Sequence, residues 1–391
     1  MGVGPGGASL KEQGMGNQRI KSLDGLRAIS IFIVLAAHVA ETVHLRHDPY
    51  TRFVSNVGSF GVKIFFVISG FLITTLLLAE ERRNGRISLG MFYLRRAFRI
   101  LPVAYLFIGV VATLALTGFI VLPRHNLLYG VLFAMNMAPE GTWWTGHLWS
   151  LAIEEQFYLV WPLIFLLTSR RTRVAACVGV AVLAPVLRIS TLLYAPHVFD
   201  RMHQSLLFLG DSLAIGCLLA LMAERLDGSD RVRRVMGSRA FAGVPVLAVL
   251  MYGTLNSRLW PEFHFALGDS ISLLCIAATI WRVIHWQDAA HRLLNTKILI
   301  VIGTLSYSLY IWQQIFLNAE SSYWINAFPQ NLVLAFLTAA ASYYLVESPI
   351  LRWRAMVVSW IGERRGHRAA SAESVTSIAR AEQDVASQVS A

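Results

Sequence analysis

His38 is the residue whose type and position point most directly to chemistry. It is the last residue of the stretch DGLRAISIFIVLAAH, residues 24–38. An apolar run that is long enough to cross a bilayer begins just after Arg27 and includes His38. The eleven residues from Arg27 to His38 advance about 16 Å along a helix, so the imidazole lies beyond the middle of the membrane. An ionisable side chain at that depth must face protein or water. His38 is therefore either a functional residue or a histidine hydrogen-bonded inside a helix bundle.

A second group of reactive residue types lies in residues 145–158. His147, Ser150 and Glu154 fall on one face of a helix, so an imidazole, a hydroxyl and a carboxylate can converge there. Ser69, by contrast, has neither the G-x-S-x-G elbow nor a preceding strand. We therefore do not expect a hydrolase nucleophile at Ser69.

Three arginines lead into another apolar run. The spacing of Arg95, Arg96 and Arg99 places them on one side of a helix. Guanidinium groups bind phosphate oxygens in a bidentate manner, so this cluster suits a nucleotide-bearing donor or an anionic lipid head group. The alternative is the basic flank that membrane helices carry at their cytoplasmic ends.

The composition predicts an all-α, polytopic membrane protein. Of 391 residues, 55% are hydrophobic and only 15% are charged, which is too apolar for a soluble protein. The net charge of +11 is spread between apolar runs, so we expect no nucleic-acid partner. Cys177, Cys217 and Cys275 lack C-x-x-C spacing, so neither a disulfide framework nor a metal site is expected.

Windows of about twenty residues predict about ten membrane-spanning helices. They cover residues 26–44, 58–79, 100–121, 150–167, 174–194, 205–223, 240–257, 266–284, 298–318 and 331–351. The apolar segment 126–138 is too short to span and is predicted to be interfacial or re-entrant.

The distribution of basic residues predicts the orientation of these spans. One set of connections holds most of the Lys and Arg residues, whereas the opposite set holds only Arg46, Arg52, Arg124, Arg201 and Arg258. The positive-inside rule then puts both termini in the cytoplasm. We expect a cytoplasmic segment at 1–22, a ten-helix membrane domain at 23–351, and a cytoplasmic tail at 352–391 that is basic and then disordered.

Many polar residues lie within about two turns of the non-cytoplasmic ends of the predicted spans. They are His38, Lys63, Glu154, Glu155, Arg188, Asp211, Asp269, Gln313 and Gln314. Arg188 and Asp211 match in depth on consecutive helices, so we expect a structural ion pair. The others predict a polar cavity that opens on the non-cytoplasmic side. Trp143, Trp144 and Trp149 fit an aromatic belt at that face.

Six ordered motifs make the chain resemble the acyltransferase 3 family of integral-membrane acyltransferases, which includes O-acetylases of cell-surface glycans. The motifs are Asp24–Arg27 with His38, Phe65–Ile73, Tyr93–Pro102, Leu148–Tyr158, Gly303–Trp312 and Val346–Pro349. The resemblance implies transfer of an acyl group, usually acetyl, from cytoplasmic acyl-CoA to a hydroxyl at the outer face of a bacterial inner membrane.

The resemblance also implies roles for individual residues. The catalytic residues would be His38 and Glu154, and the acyl-CoA contacts would be Arg27, Arg95, Arg96 and Arg99. The acceptor cavity would hold Asp24, His147, Trp149, Ser150, Glu155, Tyr307, Tyr310, Trp312 and Gln313. Acetyl-CoA would be a substrate, with no tightly bound cofactor and no metal. The partners would be membrane lipid and a glycan or lipid-linked glycan.

Several interpretations of mechanism and function stay open at this point. His38 could accept a proton from the acceptor hydroxyl or carry the acyl group itself. The acceptor could be a small secondary metabolite such as a macrolide instead of a glycan. A transporter of a lipid-linked or anionic solute would also explain intramembrane polar residues and basic loops. Relatives commonly carry Trp-His where this chain has Trp312 and Gln313, so the role of that histidine is either absent or met by an amide.

Overall fold

The computed structural model describes residues 19–42, 49–197, 202, 204–254 and 267–361, and within them the chain is helical, with no β-strand. Long apolar runs form helices because a helix satisfies its own backbone hydrogen bonds inside a bilayer. Of the predicted segment 1–22 only residues 19–22 are described. The part of the predicted tail beyond residue 361 lies outside the described residues.

Fourteen α-helices follow one another in the described chain. They are α1 (Lys21–Thr42), α2 (Pro49–Asn84), α3 (Leu89–Leu116), α4 (Arg124–Val131), α5 (Trp143–Gly146), α6 (Leu148–Leu167), α7 (Arg170–Tyr194), α8 (Leu206–Asp227), α9 (Asp230–Met236), α10 (Val244–Thr254), α11 (Asp269–His285), α12 (Ala289–Leu294), α13 (Lys297–Phe316) and α14 (Gln330–Ser342). A π-helical turn, Tyr343–Glu347, follows α14, and the helix then continues to residue 361.

Eight helical segments of the described chain are long and apolar enough to cross a membrane, which confirms the predicted all-α polytopic bundle. A ninth candidate joins α9 to the segment Ala240–Gly253 through a bend of 60°. Each of the ten predicted spans overlaps a helix. The span predicted at 240–257 corresponds to that bent segment, and the span at 266–284 corresponds to α11, which has 17 residues.

The short apolar segment 126–138 does not form a spanning helix. It contains most of α4 and a 3-10 turn at Met135–Met137. Eight helical residues advance only about 12 Å, far less than the thickness of a bilayer. The segment is therefore too short to span, as predicted, and it packs through α4 against α3 and α5.

The centre of the bundle consists of α1, α2, α8 and α13. Helix α1 packs against α2 and α13, and α2 packs against α8. Glycines allow two close approaches: Gly303 of α13 faces the backbone of Asp24, and Gly216 of α8 faces the backbone of Val67. A side chain at either glycine would collide with a main-chain oxygen, so these small residues fix how closely the helices pack.

The intramembrane polar residues do not share one cavity. Lys63, Arg188, Asp211 and Asp269 form a buried charge network among α2, α7, α8 and α11. Arg188 donates to Asp211 at 2.6 Å and lies 3.8 Å from Asp269, which in turn pairs with Lys63. His38 belongs to a different cluster, described below. Equal depth in the membrane does not specify the direction in which a side chain points, so depth alone grouped residues that the fold separates.

Asp211→Asn is expected to destabilise the folded protein by about 3–5 kcal/mol, because it leaves two buried cations, Arg188 and Lys63, with Asp269 as their one carboxylate in the network. The measurement is the yield of monodisperse protein in detergent together with the midpoint of thermal unfolding. Arg170→Ala is the matched control. The Arg170–Glu224 pair is 47% and 37% exposed, and exposed pairs contribute only about 0–1 kcal/mol. If Asp211→Asn and Arg188→Ala both fold like the wild type but lose function, the pair is part of a functional site instead.

Candidate active site

A cavity of about 110 Å³ lies where α1, α2, α3, α6 and α13 meet. Its polar lining consists of Arg27, Ser69, Arg96, Arg99, Ser150, Glu154, Tyr158, Ser306, Tyr307 and Tyr310. We call the part formed by the three arginines the arginine end, and the part formed by Ser150 and Tyr310 the tyrosine end. From Tyr158 to Ser150 the helix α6 advances about 12 Å, which gives the length of the cavity along the bundle.

The arginine end concentrates positive charge from two helices. Arg27 comes from α1, and Arg96 and Arg99 come from α3, where their spacing puts both on one face. Arg96 lies over the rings of Phe92 and Tyr158, at 5.8 and 5.4 Å, and no described carboxylate lies within ion-pair distance of it. Its guanidinium donors are therefore available to a ligand.

Arg99 is held by an acid that the sequence analysis did not assign to the site. Glu347, which is 1% exposed, pairs with Arg99 and also accepts a hydrogen bond from Ser308 Oγ at 3.0 Å. It ends the π-helical turn, and π-bulges occur often at functional sites because they redirect side chains. Glu347 belongs to the sequence motif Val346–Pro349, but the motif alone does not identify Arg99 as the partner of Glu347.

Two residues predicted for the site lie elsewhere. Arg95 does not line the cavity: it donates to Glu80 at 2.7 Å, because one residue along a helix turns a side chain by about 100°. Asp24 does not line the cavity either: it pairs with Arg19 at 2.5 Å and lies 3.7 Å from Arg27, whose side chain does line the arginine end. Along α1 it is about 21 Å from His38, so it is not beside His38, where the acceptor cavity was expected.

Glu154 forms a compact cluster with two hydroxyl groups inside the cavity. It accepts hydrogen bonds from Ser69 Oγ at 2.9 Å and from Tyr158 OH at 3.0 Å. The cluster bridges α2 and α6 between the two ends of the cavity. Glu154, predicted to be catalytic and to belong to the acceptor cavity, hydrogen-bonds to these two hydroxyl groups, whereas His38 bonds to Gln313. Glu155 follows on the same helix, and one of its carboxylate oxygens is buried with no described partner.

Tyr310 and Ser150 close the tyrosine end. The Tyr310 hydroxyl lies 2.5 Å from Ser150 Oγ and donates to the main-chain oxygen of His147 at 3.0 Å. The His147 ring packs 5.6 Å from the Tyr310 ring. Tyr307, one turn away, instead donates to the main-chain oxygen of Ile100 at 2.7 Å and forms part of the side wall.

His38 lies beyond this wall and is held by an amide. Its Nδ1 is 3.2 Å from Gln313 Oε1. In this orientation of the Gln313 amide its oxygen accepts from Nδ1–H, which assigns the proton to Nδ1 and the lone pair to Nε2. The ring of Trp143 meets the His38 ring edge-on at 5.3 Å, and Trp143 Nε1 donates to the main-chain oxygen of Gln314 at 2.8 Å. Trp143 was predicted as part of an aromatic belt, and the structure places it against His38.

Aromatic rings surround the His38 side of the wall. His147 and Trp312 pack against Phe107 at 5.2 and 5.6 Å, whereas Trp149, predicted for the acceptor cavity, meets Phe66 of the cavity lining edge-on at 6.1 Å. Two donors here are buried without a described hydrogen-bond partner, Trp312 Nε1 and Gln313 Nε2. Buried donors in a folded protein normally have partners, so these two are suited to a polar ligand.

The sequence profile of a family described as an acyltransferase domain matches residues 20–347. The chain belongs to the acyltransferase 3 family. O-acetyltransferase OatA of Staphylococcus aureus strain NCTC 8325 / PS 47 is 26% identical over an alignment of 383 residues, which covers 89% of this chain and 60% of that protein. OatA of strain MRSA252 is 27% identical over 367 residues, with coverage of 85% and 57%. The chain thus spans about three fifths of the length of these acyltransferase 3 relatives. No solved structure matches it.

Proposed function

We propose that this chain is a membrane O-acyltransferase that moves an acyl group from acyl-CoA to a hydroxyl of a surface glycan. The acyl group we expect is acetyl. One observation carries the proposal: three guanidinium groups line one end of a cavity whose other end adjoins His38. Membership of the acyltransferase 3 family and the O-acetyltransferase names of its relatives support O-acyl transfer.

The arginine end suits the phosphate groups of the donor. Arginine binds phosphate oxygens through paired N–H donors, and such charge-assisted bonds are stronger than neutral ones. We expect Arg96 to contribute most to donor binding, because no ion pair must break before it binds phosphate. Arg99 remains paired with Glu347, which holds its guanidinium at the cavity wall while its other donors face the ligand.

The middle of the cavity suits the flexible arm that links the phosphates to the thioester. Apolar side chains of Val62, Phe65 and Ile100 line it together with the Glu154 cluster. The arm alternates apolar carbons with amides and a hydroxyl, so it needs both kinds of surface. Glu154 therefore acts on the donor side of the site, where its carboxylate is oriented by the two hydroxyl groups.

His38 supplies the base or the nucleophile through Nε2. As a base, Nε2 takes the proton of the acceptor hydroxyl while the hydroxyl oxygen attacks the thioester carbonyl. The C–S bond breaks, the C–O ester bond forms, and the leaving thiolate takes up a proton. As a nucleophile, Nε2 attacks the thioester carbonyl, the C–S bond breaks and the CoA thiolate leaves; the acceptor oxygen then attacks the acyl-imidazole, the C–N bond breaks, and the hydroxyl proton passes to the thiolate. Both routes need the proton on Nδ1, where Gln313 holds it.

The acceptor would enter from the His38 side. The buried donors of Trp312 and Gln313 are suited to hydroxyl oxygens, and aromatic rings are suited to the apolar faces of a sugar. Lys and Arg are concentrated in the connections that would face the cytoplasm, together with both termini. In a bacterial inner membrane, the His38 side of the bundle would then face outward.

The test uses inverted membrane vesicles with radiolabelled acetyl-CoA added on the exposed cytoplasmic face. We expect label to enter a glycan or lipid-linked glycan fraction in vesicles that contain the protein, and to be absent in vesicles that lack it. Label in an extractable small molecule would replace the glycan with a small acceptor. If no acyl group leaves acetyl-CoA in vesicles from the native host, the proposal is contradicted.

Gln313→Leu is expected to lower kcat by about 10–100-fold with little change in the KM for acetyl-CoA. The substitution removes the acceptor that orients His38, and losses of this size are typical when an orienting hydrogen bond to a reactive histidine is removed. Gln313→His is the rescue variant, because an imidazole nitrogen can accept the Nδ1 proton. A Gln313→Leu variant with unchanged kcat would show that the hydrogen bond to His38 is not used.

A further inference from the structure

The tyrosine end separates the cavity from His38. Its cavity-facing side contains Ser150, Tyr310 and the ring of Phe65, which packs 6.5 Å from the Tyr310 ring. The Tyr310 hydroxyl is fixed by two contacts, to Ser150 Oγ in the first turn of α6 and to the main-chain oxygen of His147, the residue that joins α5 to α6. One side chain on α13 therefore closes the cavity against α6.

The His38 cluster begins directly behind this wall. Gln313 follows Tyr310 by three residues on α13, an advance of about 4.5 Å, and Gln313 holds His38. The His147 ring packs on Tyr310 and on Phe107, and Phe107 also contacts Trp312, the residue before Gln313. His38 itself is not among the residues that line the cavity. An acyl group carried through the cavity must therefore pass Tyr310 to reach His38.

We propose that Tyr310 is a specificity-determining residue that limits the size of the acyl group delivered to His38. The inference rests on the proposed acyl-transfer function. The Tyr310 ring, braced by Ser150 and flanked by Phe65, leaves the passage only when its hydroxyl gives up two hydrogen bonds. A small acyl group needs a small displacement, whereas a long chain would need the ring to stay displaced. Exclusion of each methylene from a fitted pocket changes specificity by about 10-fold or more.

The experiment compares transfer from acetyl-CoA, butyryl-CoA and octanoyl-CoA by the wild type, Tyr310→Ala and Tyr310→Phe. We expect the wild type to prefer acetyl-CoA. Tyr310→Ala should raise the octanoyl-to-acetyl ratio of kcat/KM by at least about 10-fold, because it removes the ring from the passage. Tyr310→Phe keeps the ring but loses both hydrogen bonds, so its ratio should rise by less. Tyr93→Phe is the matched control, because it also removes a tyrosine hydroxyl that donates to a main-chain oxygen, that of Leu159 at 2.9 Å, but does not line the cavity; its ratio should stay at the wild-type value.

Failure of this proposal differs from failure of the proposed function. A folded wild type that transfers no acyl group from any of the three donors contradicts the function. Active Tyr310 variants whose donor ratio equals that of the wild type contradict the role of Tyr310 alone.

A second measurement requires no catalysis and remains available if Tyr310→Ala folds poorly. Leu151 lines the cavity and is 6% exposed, so Leu151→Cys reports access to the cavity. A membrane-impermeant thiol reagent added from the His38 side should label this cysteine several-fold faster when Tyr310→Phe is also present. The wild type, with its native cysteines, gives the background. Equal labelling of Leu151→Cys with and without Tyr310→Phe would show that Tyr310 does not close the passage.

Discussion

Replacement of His38 by alanine is expected to lower the rate of acyl transfer by at least about 10²–10⁴-fold, the usual contribution of a positioned general base or more. The imidazole presents the Nε2 lone pair beside two buried donors without described partners, Trp312 Nε1 and Gln313 Nε2. The variant should fold, because Val34, Leu35 and Ala37 bury the other faces of α1. The measurement is labelled acetyl transfer per folded molecule at saturating acetyl-CoA.

His125→Ala is the control for the His38 variant. His125 lies on α4, outside the cavity, and packs near Tyr129 at 6.3 Å. It should retain transfer close to the wild-type rate. Wild-type transfer by the His38→Ala protein would remove His38 from the mechanism and return it to the alternative of a histidine that only packs inside the bundle.

Arg96→Ala has the second-largest expected effect: the KM for acetyl-CoA should rise by about 10–100-fold while the KM for the acceptor stays near its wild-type value. A hydrogen bond to a charged group contributes about 1.5–3 kcal/mol, and each 1.4 kcal/mol corresponds to about tenfold in binding. Because Arg96 has no described acid partner, its loss does not strand a buried carboxylate. The change in donor binding is then separate from a change in folding.

Arg95→Ala is a matched control for Arg96→Ala, one residue away on the same helix. Its guanidinium pairs with Glu80 at 2.7 Å and does not line the cavity. We expect its donor KM to stay within about twofold of the wild type, since the Arg95 guanidinium contacts Glu80 and does not face the cavity. Equal effects of the two substitutions would indicate a basic membrane flank instead of a phosphate site.

The membrane architecture could be predicted from the sequence because it depends on local composition. Apolar runs of about twenty residues have no stable state in a bilayer other than a helix, so each predicted span overlaps a helix. Helix ends were less predictable. Helix α2 runs over Pro49–Asn84, well beyond the predicted 58–79, because a hydropathy window does not register helical turns that continue outside the apolar layer.

The site was predictable in part, since residue type and spacing identify candidates but not their partners. The sequence pointed to His38, and the family motifs pointed to the arginines of α3. The hydrogen bond between His38 and Gln313 joins residues 275 apart in the chain, so only packing of α1 on α13 reveals it. Glu347 is similar, because a single π-helical turn sets its direction. The difference between Arg95 and Arg96 depends on Glu80, on another helix.

The most direct test of the account measures binding and transfer in the same preparations of wild type, His38→Ala and Arg96→Ala. Binding of labelled acetyl-CoA is followed at equilibrium, and transfer to the endogenous acceptor is followed in parallel. We expect His38→Ala to bind acetyl-CoA like the wild type and to transfer nothing, whereas Arg96→Ala should lose about 10-fold or more in binding and recover transfer at high donor concentration. Loss of donor binding in His38→Ala, with normal binding in Arg96→Ala, would contradict the assignment of the arginine end to the donor and of His38 to the transfer step.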